Sequence, residues 1–203
     1  MKTLNGWITH MKVKGDDWSW IEHMFTETGK YMNAINHIIE NKPKFVVEYG
    51  GGQSTWLLTE LINYLDYGGK VIGYEHEEFW YNNHVERGWN EHNNIKLVDA
   101  VEDVFKSDDV RDTNGIRYVH PIEDIEGVDF VIIDGPDLRE ELWENIPTTT
   151  FNLMDIVNHI GYEIPFFIDG RQGTRDFYTL NPKIPSYFFT CNYKLDIGDE
   201  KIC

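Results

Sequence analysis

The densest group of residues able to do chemistry is Glu48-Tyr49-Gly50-Gly51-Gly52-Gln53-Ser54-Thr55, which follows directly on an apolar run. Glycines let a backbone turn tightly and approach a ligand, and the unpaired N–H groups of a helix that opens there face the same spot. A plain turn with Ser54 or Thr55 capping the helix gives the same string. Ligand charge separates the options. A P-loop needs GxxxxGK[ST], and this loop has no lysine. A dinucleotide fingerprint needs a third glycine where Thr55 stands, and the Glu48 carboxylate would repel a pyrophosphate. A ligand with a positive group and no phosphate suits the acid better.

A second pair of segments rhymes: Ile133-Asp134-Gly135-Pro136 and Ile168-Asp169-Gly170-Arg171. Each ends an apolar run with Asp-Gly, so both carboxylates are expected in one crevice. There they would deprotonate an acceptor hydroxyl, or hold a divalent cation through oxygen ligands. Arg171 and Arg175 follow in a chain poor in cations. Their guanidinium forks suit a carboxylate or phosphate on an acceptor such as a sugar acid or phosphorylated sugar, and pairing with Asp169 or Asp176 is the plainer alternative.

The elements that must position these groups alternate. Lys44–Tyr49, Val71–Tyr74, Ile95–Val98, Val128–Ile133 and Ile164–Ile168 read as short strands. Helical spacing separates them, at Leu57, Leu58, Leu61, Ile62 and Leu65, at about Glu77 to His92, and at Phe151–Ile160. Strands alternating with helices imply βαβ units and a parallel sheet with helices on both faces. The expected fold is therefore α/β, a Rossmann-like three-layer sandwich whose mostly parallel sheet ends in an antiparallel C-terminal edge at Ser186–Ile197. Residues 1–42 form a helical appendage in this reading, with Asp16 and Asp17 capping a segment that carries Trp18, Ile21, Met24 and Phe25. Its aromatic residues (Trp7, Trp18, Trp20, Phe25) would cover the crevice as a lid, make an oligomer contact or simply pack. Residues 43–203 form the ligand-binding domain. In such sheets ligands sit at the carboxyl ends of the strands, near the switch in strand order, which is where the glycine loop and both Asp-Gly pairs fall.

The formal net charge is −17, so direct contact with a nucleic-acid backbone or an anionic membrane surface is disfavoured. No run of about 18 apolar residues occurs. Two cysteines, Cys191 and Cys203, form neither a CxxC motif nor a disulfide framework, and with no apolar leader near Met1 a cytoplasmic location is expected.

Taken together, Glu48-x-Gly50-x-Gly52-x-Ser54-Thr55 resembles the first motif of class I methyltransferases that use S-adenosylmethionine (SAM), in the variant with Ser-Thr after the glycines. SAM carries an ammonium and a sulfonium and no phosphate, as the electrostatics ask. The resemblance extends over roughly residues 43–170. It implies that Gly50, Gly51, Gly52, Ser54 and Thr55 surround the cofactor with Glu48, and that Glu75, 25 residues after Gly50, holds the ribose hydroxyls with His76 near them. Asp99 and Ala100 are similarly implied to receive the adenine, and Asp134 to stand beside the reaction centre. Catechol-type O-methyltransferases bind magnesium at these two strand ends, but Gly170 replaces the Asn that follows the second acid there, so a divalent metal is not favoured.

The expected function is a SAM-dependent methyltransferase acting on a small-molecule or glycan acceptor, most readily at oxygen, with Asp134, Asp169 and Arg171 at the reaction centre. A SAM-cleaving lyase or hydrolase, a non-catalytic Rossmann-like binding module and, more weakly, an NAD-dependent oxidoreductase stay open. Oligomeric state is not fixed by these features, and a homo-oligomer is compatible with them.

Overall fold

The computed structural model describes residues 4–14, 31–106, 112–136, 149–161, 164–169, 172–180, 196–197 and 200–201. Five parallel strands form the main sheet in the order β3-β2-β1-β6-β8. They are β1 (Phe45–Tyr49), β2 (Lys70–Glu75), β3 (Ile95–Leu97), β6 (Phe130–Ile133) and β8 (Phe166–Ile168). A smaller sheet joins β4 (Ala100–Phe105), β5 (Thr113–Tyr118) and β7 (Thr149–Thr150) in sequence order. The helices are α1 (Leu4–Lys14), α2 (Met32–Asn41), α3 (Gln53–Leu65), α4 (Glu78–Glu86), α5 (Asn152–Ile160) and α6 (Gln172–Leu180). The expected α/β fold, consistent with a Rossmann-like arrangement, is the observed one.

Register places the strand ends in one row. Tyr49 lies opposite both Tyr74 and Ile133, and Ile133 lies opposite Ile168. The ladder continues one residue further, with Asp134 N–H donating to the Tyr49 carbonyl and Asp169 N–H to the Ile133 carbonyl, both at 2.8 Å. The chain runs outward from β1 to β2 and β3, then returns to β6 on the other flank, so the switch in strand order falls between β1 and β6. Those parallel, doubly covered strands read as apolar runs because both faces are buried. At the opposite end of β1, the Asp129 carboxylate accepts from the Lys44 and Phe45 N–H groups at 2.8 and 2.9 Å and sets the start of the strand.

Core residues divide by strand alternation. Phe45, Val47 and Tyr49 face one cluster with Ile116, Phe151 and Ile156. Val46 faces another with Trp7, Ile35, Ile38, Leu57 and Leu61. Residue 48 shares the Val46 side, so its carboxyl lies under the helices and not in solvent. Trp7 and Met11 of α1 and Ala34 and Ile35 of α2 are fully buried, so the N-terminal helices complete the core of the sheet rather than standing apart from it. Packing is thus the role observed for Trp7; Trp18, Trp20 and Phe25, and the helix expected around them, lie outside the described residues.

Three other expectations are refined. The helix expected to run to His92 ends at Glu86 and continues as turns. The β4–β5 ladder, antiparallel from Ala100 opposite Tyr118 to Phe105 opposite Thr113, has no apolar alternation strong enough to announce it. At the C-terminus, β9 (Asp196–Ile197) and β10 (Glu200–Lys201) pair antiparallel with each other in a separate two-stranded ladder, while residues 186–195 lie outside the described residues. None of the described helices is long and apolar enough to cross a membrane.

Candidate cofactor site

Helix α3 opens at Gln53, two residues earlier than the sequence suggests, with Gly52 as its N-cap. Ser54 and Thr55 therefore stand in the first turn and do not act as the cap residue itself. Thr55 Oγ1 accepts from the Gly52 N–H at 3.0 Å, and its hydroxyl donates to Glu48 Oε2. Ser54 Oγ donates to Glu48 Oε1 at 2.6 Å. Both hydroxyls of the Ser-Thr pair thus reach down to one buried carboxyl, which clamps the helix start onto the end of β1. The close approach this demands is provided by β2: a Cβ on Gly73 would collide with the Thr55 side chain. In a dinucleotide loop the third glycine gives the close helix–strand packing. Here the glycine has moved to the neighbouring strand, and Thr55 is free to carry a hydroxyl.

The turn itself is made by Gly50 at φ +86°, in the left-handed region. Gly50 and Gly51 N–H both donate to the Tyr74 carbonyl, at 2.9 and 2.8 Å. A Cβ on Gly50 would lie 2.5 Å from Gly135 N, so the two glycine-containing strand ends are in backbone contact.

Above this floor lies a cavity of about 320 Å³. It is lined by Gly50–Ser54 of the loop and first turn, by Glu75, His76, Trp80 and His84 from the end of β2 and from α4, and by Tyr118, Asp134 and Gly135. Among the residues expected to meet a cofactor, the three glycines, Ser54, Glu75, His76 and Asp134 are brought together. Glu48 and Thr55 lie beneath the loop and do not line the cavity. Asp99 is exposed, Ala100 begins β4 opposite Tyr118, and neither lines it. Asp169 sits beside Asp134 in the ladder but outside the lining, and Arg171 falls outside the described residues.

Glu75 is 6% exposed, and its Oε1 accepts from the His76 and Glu77 N–H groups at 2.7 and 2.8 Å. These bonds fix the carboxylate at the end of β2 and leave Oε2 without a protein hydrogen bond among the described residues. Much of the lining is aromatic. His76 meets Tyr118 edge-on with ring centroids 5.2 Å apart, and Trp80 and His84 are stacked at 6.3 Å. Burial holds His84 below the ordinary histidine range, so it is neutral at neutral pH. No lysine or arginine is among the described lining residues.

Glu48 has the least ordinary environment. It is fully buried, and burial pushes its carboxyl up to about 7; Ser54, Thr55 and Tyr31 pull it down, and the Asp169 charge raises it. The Tyr31 hydroxyl, just before α2, lies 3.0 Å from Glu48 Oε1 and 2.9 Å from Asp134 Oδ2. The tyrosine is held well above its ordinary range by burial and by the Asp134, Glu48 and Asp169 charges, so it stays a neutral phenol.

Tyr31, Trp80, His84 and Tyr118 were not anticipated. Trp80 and His84 carry a legible signal, an i,i+4 aromatic pair on the helix that follows β2. Tyr118 arrives on the small sheet and Tyr31 from a distant helix, and neither has a local signature. One further cluster, Glu60, Glu91 and His92, has ligand atoms within 4.8 Å of one another. His92 Nε2 lies 2.8 Å from buried Glu60 Oε1, and this pairing accounts for the carboxylate without a cation. None of these three residues lines the cavity.

Comparison of the sequence with protein-family models and with curated proteins returns no match.

Proposed function

We propose that the cavity binds S-adenosylmethionine and that the protein transfers a methyl group to a small-molecule or glycan acceptor, at oxygen. One observation carries this reading: a glycine backbone at the sheet's switch point and a fixed carboxylate line one cavity, with no lysine or arginine among its described lining residues. Among the described lining residues a pyrophosphate would meet Glu75 and Asp134 and no cation, whereas a neutral ribose and a positive amino-acid end meet acceptors suited to them. Glu75 Oε2 would accept from ribose hydroxyls. The rings of Trp80, His76 and Tyr118 give a planar heterocycle surfaces to stack on. Gly50–Gly52 let the ligand approach the main chain, and Gln53 and Ser54 offer polar groups beside them.

When bound, SAM supplies an electrophilic methyl on a sulfonium. The chain's part is to hold the acceptor in line with it and to take the hydroxyl proton. Asp134 lines the cavity at the end of β6 and is the group placed to accept that proton. Asp169 adds negative charge behind it. Calorimetric titration with SAM, and with NAD as control, tests the reading: micromolar SAM binding and no heat with NAD are expected. NAD binding without SAM binding overturns it. Turnover of SAM incubated with the protein alone would replace transfer by SAM cleavage.

A further inference from the structure

A phenol has one proton to donate, yet the Tyr31 hydroxyl lies within hydrogen-bond distance of two carboxyl groups, Glu48 Oε1 at 3.0 Å and Asp134 Oδ2 at 2.9 Å. If both carboxyls were ionised, only one of these contacts would be a hydrogen bond, and the other would set a carboxylate against the phenol oxygen's lone pairs. Both are satisfied when one carboxyl carries a proton and donates it to the phenol while the phenol donates to the other. The environments decide which is which. Glu48 is sealed under α3, 0% exposed, where a charge is costly. Asp134 lines the cavity, where water and ligand reach it.

We infer that Tyr31 is a positioning residue that joins Glu48 and Asp134 into a single proton-holding unit, in which Glu48 keeps the proton, donates it to Tyr31, and Tyr31 donates to an ionised Asp134. Its catalytic meaning rests on the reading of the cavity as a methyl-transfer site; the coupling itself does not. In this orientation Asp134 is kept ionised and aimed, ready to take a proton from an acceptor. Loss of the Glu48 proton turns the Tyr31 hydroxyl toward Glu48, and Asp134 loses the Tyr31 hydrogen bond.

The groups facing the unit are consistent with one shared proton. From β1 comes Glu48; from α3, the Ser54 and Thr55 hydroxyls, both donating to Glu48; from the end of β6, Asp134; from the end of β8, Asp169, whose charge opposes ionisation of Glu48 and Tyr31. The tie also gives the N-terminal helices a place in the site. Tyr31 is buried against Phe167, ring centroids 5.3 Å apart, and Ala34, Ile35 and Ile38 of α2 pack in the same core, so the hydroxyl is held from behind.

The test is a carboxyl-carbon NMR titration of the full chain between about pH 5 and about pH 9, with SAM binding measured alongside. Glu48 and Asp134 resonances should share a step at one midpoint near neutrality. In Tyr31→Phe the Asp134 step at that midpoint should shrink several-fold, and the Glu48 midpoint should move upward because a donor is lost. In Glu48→Gln, whose amide imitates the protonated acid, the neutral step of Asp134 should disappear. An Asp134 step unchanged in either variant overturns the inference, and Glu48→Gln decides it should Tyr31→Phe fail to fold. Shared titration in a protein that does not bind SAM upholds the unit and removes only its role in methyl transfer.

Discussion

Replacing Glu48 by glutamine should alter the way stability depends on pH, with a sign set by burial. In the folded protein the Glu48 carboxyl titrates at about 7, against an ordinary value of 4.5. Between those values the folded state holds a proton that the unfolded chain has released, so stability falls as pH rises through the window. The stabilisation is fully present below the unfolded value and is lost by the folded one. At about 1.4 kcal/mol per pH unit, the loss amounts to about 3 kcal/mol across the window. Glutamine occupies nearly the same volume, keeps an acceptor for Ser54 and does not titrate. Urea unfolding of both proteins at a series of pH values gives the difference curve. His37, His84 and His120, all held below the ordinary range by burial, make stability rise with pH toward their unfolded values, and they do so equally in both proteins. Their contribution cancels in the difference. The wild type should therefore lose about 3 kcal/mol relative to the variant as pH rises through the window. A flat difference would mean that the three hydroxyl donors offset burial completely, and a slope of opposite sign would mean that they outweigh it. Either result refutes the reasoning.

Three further outcomes are expected. Gly50→Ala should destabilise by at least about 1–2 kcal/mol from the left-handed backbone alone, and more because the new methyl meets the Gly135 main chain; a denaturation midpoint equal to wild type would contradict the contact at the switch point. Glu75→Ala should weaken SAM binding by about 1–3 kcal/mol through unpaired ribose hydroxyls, read by calorimetry, with unchanged affinity removing that assignment. Trp7→Ala should cost about 3–5 kcal/mol in thermal or urea unfolding, because Trp7 is fully buried in the core it shares with α2 and α3; a loss below about 1 kcal/mol would show that α1 is dispensable to the fold.

The parallel sheet was legible because its strands are buried on both faces and read as bounded apolar runs, as Phe45–Tyr49 and Phe130–Ile133 do. Gly50, Glu75 and Asp134 line one cavity at the strand ends, since the carboxyl ends of parallel strands align in register. The small sheet was not legible. Ala100–Phe105 carries Glu102 and Asp103 with exposed Val101 and Val104, a pattern without a buried face. Missing it meant missing Tyr118, which lines the cavity opposite Ala100 in the ladder, while Asp99 and Ala100 themselves stay outside the lining. Tyr31 was illegible for a different reason. Its partners lie 17 and 103 residues away, and only the packing of α2 on the sheet brings them together.

The loop also shows why a motif string underdetermines the direction of its side chains. Glu48, Ser54 and Thr55 match the pattern of a ligand-binding loop, yet Glu48 and Thr55 face the protein, and the Ser54 hydroxyl is spent on Glu48. In the sequence, Glu48 is the acid whose charge favours a cationic ligand. That residue is a poor carrier of charge, being buried and near half-protonated at neutral pH. Glu75 and Asp134 both line the cavity instead, with no lysine or arginine among the described lining residues. Moving one acid beneath the loop has a structural consequence of its own. The helix start is held by two hydroxyls on a buried carboxyl, so the glycines above need not be braced by the ligand. A cavity whose floor is fixed from below loses less conformational entropy when a ligand enters, which favours tight binding of a small molecule over a flexible surface.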